Sequence, residues 1–73
     1  MALFRATVKR VVHMNNIRLE PGMQVEFSSM NFHPLSANEG KEVIDAFQRV
    51  YGVDIKAARA NSSMYIDVEK IGN

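Results

Sequence analysis

The chain has 73 residues, 47% of them hydrophobic and 23% charged, which is the composition of one small globular domain. Nine Lys and Arg against eight Asp and Glu leave a net charge of +1, which excludes a strong general attraction to nucleic acid or an anionic membrane. There is no cysteine, so disulfides and thiolate zinc sites are excluded, and self-association is the remaining common way for so short a chain to bury more surface.

The charge is unevenly distributed. Arg5, Lys9, Arg10 and Arg18 fall within residues 1–19, which hold no acid, and all eight Asp and Glu lie beyond them. Any basic face must therefore come mainly from the first hairpin. The start from Met1 to Arg5 has no signal-peptide apolar stretch, and no apolar run approaches the ~18–20 residues of a bilayer span. A cytoplasmic protein without membrane contact is expected.

From Leu3 to Met14 the residues alternate as in a half-buried strand, with Phe4, Ala6 and Val8 on one side and Arg5, Thr7 and Lys9 on the other. The register fails at Arg10-Val11-Val12, where a bulge or strong twist is expected. Asn15-Asn16 suits a two-residue hairpin turn, because Asn tolerates positive φ, and Ile17 to Glu20 forms the returning strand. Pro21 fixes φ at about −65°, so Pro21-Gly22 predicts a type I or II corner. Met23 to Ser29 alternates strictly, with Met23, Val25 and Phe27 inward and Gln24, Glu26 and Ser28 outward.

Met30 to Ala37 has no period and reads as a loop that carries Phe32 and Leu35. A helix follows. Ser36 and Glu39 have capping-box spacing, Asn38 is an alternative cap, and Val43, Ile44, Phe47, Val50 and Tyr51 form one apolar face. Asp45 and Arg49 are spaced to pair along it, and Gly52 sits where a left-handed residue ends a helix, with Val53 placed to fold back on the last turn. Asp54 to Ala60 reads as one or two helical turns capped by Asp54, with an extended segment through Val53 and Ile55 as the competitor. A last strand places Met64, Ile66 and Val68 inward and Tyr65, Asp67 and Glu69 outward. The fold expected for residues 1–73 is a single α+β domain: a mostly antiparallel sheet of three to four strands with one main helix on one face, in the order β-β-β-α-(short α)-β.

Leu19-Glu20-Pro21-Gly22-Met23-Gln24-Val25, Val43-Ile44-Asp45-Ala46-Phe47 and Arg49-Val50-Tyr51-Gly52-Val53-Asp54 together resemble a family of short uncharacterised bacterial proteins, a domain of unknown function. The resemblance covers nearly the whole chain and implies no activity.

Few residues offer chemistry. Cysteine nucleophiles are absent, and neither His13 nor His33 lies in a Gly-x-Ser-x-Gly or His-Glu-x-x-His context, so exposed histidines near strand and loop ends are favoured over ligands or bases. Gly22, Gly40, Gly52 and Gly72 are scattered and build no phosphate loop; Gly40 is unusual in a first helical turn, and Glu39 and Glu42 beside it would repel an anion. No catalytic, cofactor-binding or metal-binding residue is therefore expected.

What remains is a non-enzymatic protein-interaction module that binds a protein partner or a second copy of itself. Its contact surface is expected at an exposed strand edge or at a loop patch of Met30, Phe32 and Leu35. The alternative is a weak nucleic-acid-binding accessory protein that uses Arg5, Lys9, Arg10 and Arg18. That face would be neutralised if Glu26, Asp67 and Glu69 share its sheet.

Overall fold

The stretches of period two become strands in the computed structural model of the protein, which describes residues 2–31, 33–35 and 40–72. In chain order the elements are β1 (Ala2–Val8), β2 (Val12–Met14), β3 (Ile17–Leu19), β4 (Gln24–Ser29), α1 (Lys41–Tyr51) and β5 (Ile66–Gly72). β1 is the centre of an antiparallel sheet ordered β4-β1-β5, and β2 and β3 form a separate hairpin. This is the expected α+β class, with the hairpin detached from the main sheet.

The detachment has a local cause. Continuing the β1 register would turn Arg10 into the core, and the chain avoids this by leaving the sheet after Val8. Val8 and Val12 are buried while Arg10 and Val11 stay outside. Leu3 to Met14 is thus two strands, rather than one strand with a bulge at Arg10; the irregularity in the ladder lies elsewhere, between Leu3 and Phe4 on the β5 side.

Both turns have the expected chemistry. Asn15 and Asn16 have φ of 53° and 64°, the left-handed pair of a type I′ hairpin. Gly22 has φ of 95°, and the Met23 N–H donates to the Glu20 carbonyl at 3.3 Å, a type II corner with Pro21 in its first central position. Val8 continues the ladder into this corner, donating to Met23 at 2.9 Å and accepting from Gly22 at 3.0 Å.

The core lies between the inner sheet face and the helix: Phe4, Ala6, Val8, Val25, Phe27 and Ile66 meet Val43, Ala46 and Phe47 in one buried cluster. The Phe4 and Phe27 rings, opposite each other in the β1–β4 register, stack with centroids 5.8 Å apart. Leu19 and Val12 of the hairpin join the same cluster with Ile55, Ala58 and Ala60. Three apolar positions depart from expectation. Val50 and Tyr51 are exposed because the last turn of α1 runs beside the edge of β4, and Met64 is 60% exposed because residues 62–65 form a turn before β5 begins.

Gly40 precedes α1 with φ of 77°, and a Cβ there would stand 3.0 Å from the Leu35 carbonyl oxygen, which accounts for glycine at this position. The expected caps Ser36, Asn38 and Glu39 lie outside the described residues. Gly52 ends the helix with φ of 69° and its N–H donates to Gln48 O at 2.9 Å. Asp45 accepts from Lys41 at 3.0 Å rather than from Arg49, whose guanidinium crosses to β4.

Asp54 caps a single helical turn. Its Oδ1 accepts from the N–H groups of Lys56 and Ala57 at 3.0 and 3.3 Å, and the Ala58 N–H donates to Asp54 O at 3.2 Å. The turn stops at Arg59, φ 57°, with Arg59 N–H bonded to Lys56 O at 3.0 Å and Ala60 N–H to Ile55 O at 2.8 Å. That is a Schellman arrangement with a non-glycine residue in the left-handed position.

Candidate functional site

The basic residues come first. In the sheet register Arg5 has Glu26 on one side and Glu69 on the other, and its guanidinium lies 3.1 Å from Glu26 and 3.6 Å from Glu69. Arg18 is held at 3.0 Å by Glu20. Two of the four candidate nucleic-acid contacts are therefore neutralised on the protein itself. Lys9 and Arg10, in the link between β1 and β2, are exposed and have no ion pair among the described residues. Asp67 stands opposite neutral Thr7 and is likewise without an ion pair among the described residues.

The edges of a three-stranded sheet carry unpaired backbone groups, and the two edges here are treated differently. At β4, the Tyr51 hydroxyl accepts from the Gln24 N–H at 3.1 Å and donates to the Gln24 carbonyl at 3.2 Å. One turn earlier, Arg49 donates to the Glu26 carbonyl at 3.0 Å. The end of α1 thus occupies three outward backbone groups of β4, both of Gln24 and the carbonyl of Glu26. Beyond them, the Ser29 hydroxyl donates to Glu42 at 2.6 Å and accepts from the Asn31 N–H at 3.0 Å, while the Asn31 side chain donates to the same Glu42 oxygen at 2.8 Å. These bonds tie the strand's exit to the first turn of the helix.

At β5 the pattern is open. Lys9 N–H donates to Tyr65 O at 2.7 Å, and because antiparallel ladders alternate, Asp67 and Glu69 exchange bonds with Thr7 and Arg5. The N–H and C=O groups of Val68 and Lys70 then point away from the sheet. Among the described residues no side chain hydrogen-bonds to them.

Alongside this edge runs a groove of about 230 Å³. Its floor is Phe4, Ile66 and Val68, its far wall is His33, Pro34 and Leu35, and Ser63 and Asp67 stand at its rim. Asp67 belongs to the outer sheet face and Ile66 and Val68 to the inner one, so residues of both faces reach the groove at the strand's edge. Of the candidate interface residues, Met30 is 83% exposed and Leu35 is half-buried in this wall; Phe32 lies outside the described residues.

The groove also gathers Ser63, His33 and Asp67, the residue types of a nucleophilic triad, from three separate places in the sequence. They make no hydrogen bond to one another, so the relay from carboxylate to imidazole to hydroxyl that activates a serine is not assembled. His13 sits exposed in β2 opposite Arg18. Among the described residues no three His, Asp or Glu side chains are grouped to hold a metal ion, and no helix is long and apolar enough to cross a membrane.

Helical spacing places Tyr51 on the apolar face and Arg49 near Asp45, but neither their bonds to β4 nor the groove is visible in it. Their partners lie more than twenty positions away in the chain, and the only local signal was a tyrosine at the end of an apolar helical face.

Architecture and site together define a small α+β domain with one strand edge partly covered by its own helix and the other, among the described residues, left open beside a groove with an apolar floor. The chain belongs to DUF6140, a family of unknown function whose model matches residues 1–68. No curated protein matches it. Nor does any solved structure.

Proposed function

We propose that the protein is a non-enzymatic protein-interaction module, acting in the cytoplasm, whose contact surface is the open edge of β5 with the adjoining groove and the exposed Met30. The observation that carries this reading is the asymmetry of the sheet: side chains of α1 bond Gln24 and Glu26 along the β4 edge, while among the described residues no side chain bonds the outward backbone groups of Val68 and Lys70, which lie beside an apolar floor. Self-association and binding of a different protein both use such an edge. The nucleic-acid alternative rests on Lys9 and Arg10, since Arg5 and Arg18 are already paired with acids.

The test is site-specific photo-crosslinking in the cells that make the protein, with the reactive side chain at position 70 or 30 and a control at exposed Gln48 on the helix. A covalent adduct of one definite mass from positions 70 and 30, and none from 48, is expected; an adduct of twice the monomer mass means self-association. No adduct, or equal labelling from all three positions, overturns the reading.

A further inference from the structure

Resting on that reading, we infer that the open edge of β5 takes an extended segment of another protein in which basic residues flank an apolar one. A strand added beside β5 sets its own alternate side chains next to those of β5 on the same face. On the outer face it meets Asp67 and Glu69. Asp67 is an exposed carboxylate without an ion pair among the described residues, and Glu69 shares a single distant contact of 3.6 Å with Arg5. Lys or Arg at the two outward positions of the added strand supplies the missing charge. Between them, the residue opposite Val68 points to the inner side, where a groove of about 230 Å³ between Val68 and Leu35 offers the apolar floor of Phe4, Ile66 and Val68. Backbone bonds to Val68 and Lys70 would supply affinity, and the base-apolar-base alternation would supply selectivity.

Charge argues against a second copy as the occupant. Two β5 strands paired about a two-fold axis through their outward backbone groups must place an odd-numbered residue opposite an odd-numbered one. In the three registers centred on the open stretch from Asp67 to Glu69, this puts Asp67 opposite Asp67, Asp67 opposite Glu69, or Glu69 opposite Glu69, each a like-charge pair.

The experiment is an NMR titration of the intact protein with a blocked peptide of alternating lysine and valine. Three comparisons accompany it: the glutamate–valine counterpart, the lysine peptide N-methylated at its ladder-forming amides, and the lysine peptide with the Asp67→Lys variant. The lysine peptide is expected to shift and protect the Val68 and Lys70 amides. N-methylation should abolish that protection, and Asp67→Lys should weaken binding about tenfold while improving binding of the glutamate peptide. Asp67 is exposed, so the variant keeps the fold, and the N-methylated peptide tests the edge on the unaltered protein. Equal binding of both charge types, protection elsewhere than β5, or no binding at millimolar peptide overturns the inference. If crosslinks from positions 70 and 30 persist in that case, the interaction reading stands and only the partner chemistry falls.

Discussion

Replacing Tyr51 with phenylalanine removes one oxygen and tests whether the end of α1 really holds the β4 edge. The ring stays, together with its stacking on Phe47 at a centroid distance of 6.0 Å, so the change isolates the hydroxyl. That hydroxyl makes two bonds, both to Gln24, at 3.1 and 3.2 Å. A net hydrogen bond contributes roughly 0.5–1.5 kcal/mol. Gln24 and Tyr51 are both exposed, so water replaces the lost partner and each bond counts at the low end; the expected sum is about 1 kcal/mol. For a domain of this size that lowers Tm by roughly 4–8 °C. Thermal unfolding followed by circular dichroism gives the stability, and hydrogen exchange at the Gln24 amide gives the site. Unchanged Tm together with unchanged Gln24 exchange would refute the edge-closing role of Tyr51. A loss above ~3 kcal/mol would instead mean that packing around the ring had been disturbed.

Three further substitutions test other parts of the fold. Arg59→Gly should stabilise by about 0.5–1 kcal/mol in urea unfolding, because it relieves a left-handed residue at φ 57° that makes no ion pair among the described residues; a destabilised variant would contradict this. Gly40→Ala should cost about 1–2 kcal/mol or more by the same assay, from its φ of 77° and the 3.0 Å approach of the new Cβ to Leu35 O, and a neutral result would place Gly40 in another conformation. Ser29→Ala leaves the Asn31 N–H without its partner and Glu42 with only the Asn31 side chain; a loss of about 1–2 kcal/mol is expected, with faster exchange at the Asn31 amide, and no change in that exchange would count against the link.

Much of the fold was legible in the sequence because its signals are local. Strand alternation at Phe4-Ala6-Val8 and Val25-Phe27, the Asn15-Asn16 and Pro21-Gly22 turns, the Gly52 stop and the Asp54 cap each depend on neighbours within a few residues. The detached hairpin was half visible: the break at Arg10 could be seen, but whether the chain bulges or leaves the sheet depends on what β2 packs against. Helical spacing allows Asp45 either Lys41 or Arg49 as a partner, and it pairs with Lys41 because a carbonyl on β4 draws Arg49 away. The candidate site was the least legible part. The cross-strand neutralisation of Arg5 by Glu26 and Glu69 could be anticipated from facing alternation. The partly covered β4 edge, the β5 edge left open among the described residues and the groove between β5 and Leu35 arise from strand order, which no local pattern specifies.

Amide hydrogen exchange in the free, monomeric protein most directly tests the open edge of β5. Val68 and Lys70 should exchange much faster than their neighbours Asp67 and Glu69, whose N–H groups bond to β1, and Gln24 should be slower than either of the two open positions. If Val68 and Lys70 are protected as strongly as Asp67 and Glu69, the edge is already occupied and cannot be the docking surface.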